Sequence, residues 1–355
     1  MRSTDGYVVG LTRDGAYPDG STIFGDVGLE RLDQAGITWR LMPEVPHGPV
    51  NAEALAGLDA VLSFGHMPFN AELVRQAPRL KHVARFGAGY DGIDPQGLAA
   101  EGVIVTTTPV EVRKPLALSG LTLILAAAHR LVENHRVTAN GLWESGRGGH
   151  RGQGIDGRTV GIIGFGSVGT QLAEYLRHLG VAVITTDRNS SRAADHGIAG
   201  FPLLELASRS DFVVVTAALT GETRGMVDAD FFAAMKRSAH FVNIARGALV
   251  DQAALTRALV DGTIAGAALD VFDPEPPSKD DPLFALDNVI LSPHALCWTA
   301  DFTRDVSASV IASVIQASHG NVPDAALSRG LVNASTWRGA SLQPADAQPA
   351  DAQHA

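Results

Sequence analysis

The segment Thr159-Val-Gly-Ile-Ile-Gly-Phe-Gly-Ser-Val-Gly-Thr170 decides the fold. An apolar, β-favouring run, Val160–Ile163, leads into Gly164-x-Gly166-x-x-Gly169, and an apolar helical stretch follows over Gln171–Leu179. The next strand, Val181–Thr186, ends at Asp187, about 20 residues on, where the dinucleotide fingerprint places an acidic residue. The glycines let the backbone turn tightly, approach a pyrophosphate and pack the helix on the sheet. The helix N-terminus, with Ser167 and Val168 in its first turn, offers N–H groups and positive dipole to the phosphates. Asp187 would accept the hydroxyls of an adenosine ribose, and a 2′-phosphate there would meet its charge. The spacing predicts a dinucleotide site with NAD preferred over NADP; the neighbouring Arg188 is the feature that argues the other way. Glycines alone would be an ordinary turn, but strand, glycines, helix and distal acid are all in register.

Outward from this segment, strand and helix take turns. After Thr159 the apolar runs Ala182–Thr185, Phe212–Thr216, His240–Ile244, Ala265–Asp270 and Val289–Ser292 read as strands. Before it, Tyr7–Leu11, Ile37–Met42, Ala60–Ser63, Val83–Arg85 and Val103–Thr106 do the same, with a helix over Val27–Ala35 and a Pro/Gly loop through Pro49. Such alternation implies parallel sheets with helices on their faces. Between the two series, Leu116–Leu131 is apolar nearly all round, which predicts burial on most sides. A Gly-rich loop carrying Trp143 follows it over Gly141–Gly157. A helix over Phe302–Ser318, with no further strands after it, is expected to return to the first domain.

Composition narrows the function. At 355 residues, 45% hydrophobic and 19% charged, the chain is an ordinary globular protein long enough for two domains. A net charge of −10 argues against a nucleic-acid partner. The single cysteine, Cys297, excludes a disulfide within the chain and argues against a cysteine zinc site, so no metal is expected. No signal-peptide pattern opens the sequence, and the most apolar stretch, Leu116–Ala128, is too short for a bilayer. The expectation is a cytoplasmic protein with no membrane partner. The end of the chain repeats Gln-Pro-Ala-Asp-Ala (343–347 and 348–352), low complexity that predicts a disordered tail over 336–355.

Ligands of open α/β sheets bind beyond the carboxyl ends of the strands. Three residue groups lie there. Arg246, after Phe241–Ala245 and before Gly247, has a guanidinium able to grip a carboxylate with two parallel hydrogen bonds, although a surface ion pair is the commoner use. The proline-fixed turn Asp270-Val-Phe-Asp-Pro-Glu275 offers Asp270 or Glu275 to a cleft, while Asp273 reads as a solvated loop residue. His294, one of twelve histidines, stands out by its place just past the strand Val289–Ser292. Together they describe one chemistry: Arg246 holds a 2-oxo acid and polarises its carbonyl, His294 supplies a proton as hydride arrives, and Glu275 orients the histidine and favours its protonated form.

With these motifs in hand the chain resembles the D-isomer-specific 2-hydroxyacid dehydrogenases. The resemblance runs from about Tyr7 to Leu331 and rests on Gly164–Gly169, Asn243-Ile-Ala-Arg-Gly-Ala-Leu-Val-Asp251, Ala268-Leu-Asp-Val-Phe-Asp-Pro-Glu-Pro-Pro277 and Ser292-Pro-His294. It implies two Rossmann-like or flavodoxin-like parallel-sheet domains, the nucleotide-binding one inserted in a split substrate domain. Residues 1–113, completed by 298–335, would form the substrate (catalytic) domain and 114–297 the NAD-binding Rossmann domain. It implies Arg246, Glu275 and His294 as the catalytic set and Asp270 near the nicotinamide carboxamide. It adds Ala217, Thr223 and Ala245 to the cofactor contacts. In Phe86-Gly-Ala-Gly-Tyr-Asp-Gly-Ile-Asp94, backbone N–H groups near Ala88 and Gly89 would cradle the substrate carboxylate. Cleft closure and a homodimer built partly on the helix after Pro115 are also implied.

The chain departs from the family at four places: Arg113 where a small hydroxyl residue is usual, Leu118 where an acid is usual, Ala218 for a proline, and Ala295-Leu-Cys-Trp298 for small residues after the histidine. Arg113 is a candidate for a further anion contact, and Trp298 for packing or a pocket wall. The activity implied is reversible hydride transfer between NAD(H) and a small 2-oxo or (D)-2-hydroxy acid, glyoxylate and hydroxypyruvate first. The competing reading is an NAD-sensing, corepressor-like binding protein on the same fold.

Overall fold

The computed structural model describes residues 6–44, 50–188, 190–321 and 323; the end of the first Pro/Gly loop and the Pro/Ala tail lie outside the described residues. The chain forms two compact units. One comprises the described residues as far as Val112 and again from Trp298; the other is Arg113–Cys297, inserted between those two stretches.

The first unit carries β1 (Val8–Leu11), α1 (Glu30–Gln34), β2 (Thr38–Leu41), β3 (Ala60–Ser63), α2 (Ala71–Arg75), β4 (His82–Arg85), α3 (Pro95–Ala100), β5 (Ile104–Thr106) and, after the insertion, α12 (Ala300–Ser318). Its strands make a five-stranded parallel sheet in the order β2-β1-β3-β4-β5, the flavodoxin-like winding. β3 and β4 are buried at every position, as strands covered on both faces must be. One side of the sheet buries Leu55, Leu58, Val61, Phe69, Val83, Leu98 and Val105 in a single core. α12 packs against β4 and α1 through a face that includes Val306, Val310 and Val314.

Two helices start elsewhere than their apolar patterns imply, one because of its cap and the other because of a glycine in the left-handed region. α12 begins two residues before Phe302, because the Thr299 side chain accepts the Phe302 N–H and caps the first turn. α1 begins at Glu30 rather than Val27: Gly28 holds φ +75°, and its N–H is tied to Asp26, so the helix cannot extend through it.

In the second unit α4 (Pro109–Ala128), most of which lies here, leads to α5 (Leu131–Ala139) and α6 (Trp143–Gly146). There follow β6 (Thr159–Ile163), α7 (Ser167–His178), β7 (Ala182–Thr186), α8 (Ser190–Asp195), β8 (Ala199–Gly200), α9 (Leu203–Arg209), β9 (Phe212–Val215), α10 (Ala229–Ala234), β10 (His240–Asn243), α11 (Gln252–Val260), β11 (Gly266–Leu269) and β12 (Val289–Leu291). The seven strands are parallel in the order β12-β11-β10-β9-β6-β7-β8. The winding reverses between β6 and β9, the switch point at which such sheets bind ligands. β8, a bare Ala-Gly pair, has no apolar pattern by which it could be foreseen.

The apolar segment after Val112 is largely buried. Ala117, Leu123, Ile124 and Ala128 of α4 join Val160, Ile162, Leu172 and Ile244 in one core, while Leu118 stays 49% exposed. The helix then breaks at Arg130, which adopts φ +50°, and Leu131 is 60% exposed. Of Leu116–Leu131, Leu118, Thr122, His129 and Leu131 are exposed and the rest are buried or half-buried, so burial on most sides holds apart from a narrow stripe. Trp143, expected in a loop, sits at the start of the one-turn α6. No single described helix is long and apolar enough to cross a membrane; only α4 and α5 together reach that composition, and they are bent by 61°.

Candidate active site

The three fingerprint glycines are needed for three different reasons. Gly164 closes β6 at φ +91°, and a Cβ there would lie 2.6 Å from the Cα of Ala217. A Cβ on Gly169 would lie 2.5 Å from the Gly164 carbonyl oxygen, so only glycine lets α7 sit this close to the strand. A Cβ on Gly166 would meet nothing within 4 Å. Gly166 is the N-cap of α7, and no side chain caps that helix. Its first-turn N–H groups, at Ser167, Val168 and Gly169, are what a pyrophosphate would take. Helix α7 starts here, four residues before the apolar stretch at Gln171, because the glycine loop itself forms its first turn. Thr216 ties the neighbouring strand end to the loop, its hydroxyl donating to the Gly164 carbonyl at 2.5 Å.

Asp187 follows β7, and its Oδ2 accepts the N–H of Phe165 at 2.5 Å, which locks the carboxylate against the glycine loop. Arg188 turns away to pair with Glu222 at 2.8 Å, both side chains being 75% exposed. So exposed a pair is weak, and the guanidinium is readily exchanged between partners. The Thr223 hydroxyl donates to the Ala218 carbonyl at 2.8 Å and accepts the Thr220 N–H, closing the loop after β9. Ala245 is buried at the end of β10. These residues, with the glycine loop, present the surface a dinucleotide needs.

Arg246 is placed by a buried asparagine. The Asn243 side chain, 1% exposed, accepts the Ala245 N–H at 3.0 Å and donates to the Arg246 carbonyl at 2.9 Å, fixing the turn after β10. Gly247 then passes against the next loop so closely that a Cβ would lie 1.9 Å from the Phe272 carbonyl carbon. Arg246 is half-buried and donates one N–H to the Ala245 carbonyl at 2.7 Å.

Glu275 and His294 meet at the carboxyl ends of β11 and β12. Nδ1 of His294 lies 2.8 Å from Oε2 of Glu275, whose other oxygen accepts the Phe272 N–H at 2.9 Å. With His 30% and Glu 27% exposed, the pair contributes little stability and serves to orient the ring. Nε2 is thereby turned away from the glutamate. Asp270, 1% exposed, accepts the N–H groups of Ala295 at 3.1 Å and Leu296 at 3.4 Å. Its carboxylate thus braces the turn that carries His294, a role not foreseen when Asp270 is read only as a cofactor contact. Cys297 is an inert buried thiol, pushed up to about 12 by burial and then by the Asp270 charge.

In the first unit the chain after β4 forms the loop that holds Ala88 and Gly89. Both residues are half-buried, and among the described residues neither N–H has an acceptor. Two adjacent unspent donors are what a carboxylate would accept from. Beside this loop Phe24 stacks on Phe86 at 4.4 Å, and Trp298 meets Phe24 edge-on at 4.6 Å. Trp298 therefore packs within this aromatic set. Arg113 has its Nε buried without a hydrogen-bond partner among the described residues.

The residues that sequence reading passes over here are Asn243 and Thr216. Asn243 was visible as the head of the Asn243–Asp251 motif, but its work is done through backbone atoms that no pattern marks.

Comparison with known proteins agrees with this architecture. Residues 25–117 match the model of the D-isomer specific 2-hydroxyacid dehydrogenase catalytic domain, and residues 121–295 match that of the NAD binding domain of the same family. The chain is 36% identical over 282 residues to a glyoxylate reductase of Korarchaeum cryptofilum, covering 78% of this chain and 85% of that one. It resembles the crystal structure of an NADPH-dependent glyoxylate/hydroxypyruvate reductase from Sinorhizobium meliloti, in complex with NADP and malonate, with a TM-score of 0.79 and 28% identity over 94% of this chain and 99% of the other. A crystal structure from Thermus thermophilus matches with a TM-score of 0.78 and 30% identity over 92% and 99% of the two chains. The fold and the site define an α/β dinucleotide-binding oxidoreductase. The chain belongs to the D-isomer specific 2-hydroxyacid dehydrogenase family.

Proposed function

We propose that this protein is an NAD-dependent dehydrogenase that interconverts a small 2-oxo acid, of the glyoxylate or hydroxypyruvate kind, and the corresponding (D)-2-hydroxy acid. The observation that carries the reading is the 2.8 Å contact of His294 Nδ1 with a Glu275 carboxylate that is itself anchored on the Phe272 N–H. A histidine held this way presents Nε2 as acid in one direction and base in the other. Bound NADH supplies the hydride. Arg246 holds the substrate carboxylate and polarises the carbonyl. In the first unit, the unspent N–H groups of Ala88 and Gly89 are donors suited to a substrate carboxylate. As hydride reaches the carbonyl carbon, the Nε2 proton of His294 passes to the carbonyl oxygen, and Glu275 holds the ring in the orientation that transfer needs. The relatives named glyoxylate reductase support the substrate class.

Asp187 supports NAD over NADP, since a 2′-phosphate would stand against a carboxylate already fixed on Phe165. A homodimer suits the outward-facing Leu118, Leu131, Leu142 and Trp143, which are 49–60% exposed. A reducing, cytoplasmic setting suits a chain whose one cysteine is a buried thiol.

The test is NADH consumption against 2-oxo acids from glyoxylate to phenylpyruvate and 2-oxoglutarate, with NADPH in parallel. Turnover of the small members supports the reading. NADH binding without turnover on any of them overturns it in favour of a sensor. Sedimentation at micromolar concentration tests the dimer, and a monomer there overturns that part alone.

A further inference from the structure

We propose that Arg85 and Thr108 form a clamp that aims the Ala88 N–H, the first donor of the Ala88–Gly89 pair, at the substrate carboxylate. The proposal rests on the reading of that loop as a carboxylate cradle.

Arg85 ends β4, but its side chain does not leave the protein; the residue is 8% exposed. Its guanidinium folds beneath the following turn, donating to the Phe86 carbonyl and, at 2.8 Å, to the Phe64 carbonyl. Thr108, 2% exposed, holds the turn from the other side. Its Oγ1 accepts the Gly87 N–H at 3.1 Å, and its own N–H donates to the Gly87 carbonyl at 2.9 Å.

These contacts fix two successive peptide planes. In the plane between Phe86 and Gly87, the carbonyl goes to Arg85 and the N–H to Thr108. In the plane between Gly87 and Ala88, the carbonyl goes to Thr108. A trans peptide points its N–H opposite to its carbonyl, so the Ala88 N–H is driven away from Thr108 and outward. Gly87 stands at φ +123°, in a region that side-chain-bearing residues rarely enter, which is why the turn needs two external anchors as well as glycine. The guanidinium also sets a positive charge under the loop, 3.6 Å from where a Gly87 Cβ would sit. A buried charge there favours an anion on the loop's outer side. Arg85 and Thr108 are positioning residues: neither needs to touch substrate.

The experiment is steady-state kinetics on the intact enzyme with glyoxylate, with oxalate as a dicarboxylate inhibitor and NADH affinity read by fluorescence. Thr108→Val removes the hydroxyl at constant shape and Thr108→Ser restores it; Arg85→Met removes charge and donors. We expect Thr108→Val to raise KM for glyoxylate and Ki for oxalate by about tenfold. It should leave NADH affinity unchanged and kcat within about threefold, and serine should recover most of the loss. Arg85→Met, if it folds, should show a larger rise of the same kind. A folded Thr108→Val enzyme with wild-type KM and Ki overturns the clamp. So does a loss that appears equally in kcat and NADH affinity, or that serine fails to recover. Arg246→Ala serves as the reference: if it impairs KM while Thr108→Val does not, only the clamp falls. A wild type with no turnover on any 2-oxo acid overturns the cradle reading and the clamp with it.

Discussion

Glu275 grips His294 with one carboxylate oxygen and the Phe272 backbone with the other, at 2.8 and 2.9 Å. The imidazole is therefore braced by a residue that is itself braced. Glu275→Gln keeps the size and one hydrogen bond but removes the charge and allows the wrong ring tautomer. We expect kcat to fall by about 100-fold or more, with NADH affinity unchanged. Stopped-flow and steady-state rates of the variant check this; an undiminished kcat would leave Glu275 with the turn alone.

Gly166 and Gly247 should respond oppositely to alanine. Gly166 has an allowed φ of −79° and nothing within 4 Å of a Cβ, so Gly166→Ala should change stability by less than about 0.5 kcal/mol. The same methyl should weaken NADH by about tenfold or more, since it stands where a pyrophosphate would approach. Gly247→Ala would drive a methyl into the Phe272 backbone, and we expect a loss of about 3 kcal/mol or failure to fold. Denaturant unfolding and NADH titration of both variants decide; equal losses of stability would contradict the geometry.

Asp187→Ala should lower kcat/KM for NADH and improve the ratio for NADPH, together by about 10- to 100-fold. The direction follows from the charge, and Arg188, held only by an exposed ion pair with Glu222, is placed to exploit its removal. An unchanged ratio would show that another group reads the ribose.

His82 makes stability depend on pH. Fully buried on β4 beside β5, with Nε2 2.7 Å from the Thr106 hydroxyl, its imidazole is pushed down by burial from 6.5 to about 3. Between those values the unfolded chain binds a proton that the folded chain refuses. The stabilisation is therefore whole above pH 6.5 and is lost as pH falls toward 3, with a slope of up to about 1.4 kcal/mol per pH unit from this group. Urea unfolding from pH 7.5 to 5 should show a steeper decline for wild type than for His82→Gln. Parallel curves would rule this histidine out as the cause.

The sequence by itself determined the parts of this protein that are encoded over short spans. Gly164-x-Gly166-x-x-Gly169 with Asp187 marked the dinucleotide loop because a strand, a tight turn and a helix start are each local demands on residue type. The alternation of apolar strands and amphipathic helices carried the two parallel sheets for the same reason. Tertiary structure alone decided what holds the site residues in place. Asp270 reaches the N–H of Ala295 across 25 positions and Thr108 reaches Gly87 across 21, while the Glu275–His294 pair, expected from the motifs, gains from the fold its anchor on the Phe272 N–H. The first two contacts join the ends or loops of neighbouring strands, and in each of them, as in the Phe272 anchor, one partner is a backbone atom, which carries no residue signature. The exposed stripe of α4 was equally out of reach, since an all-round apolar helix looks the same whichever side is left open. Only the packed sheet beside it shows that Leu123 and Ile124 are buried and Leu118 is not.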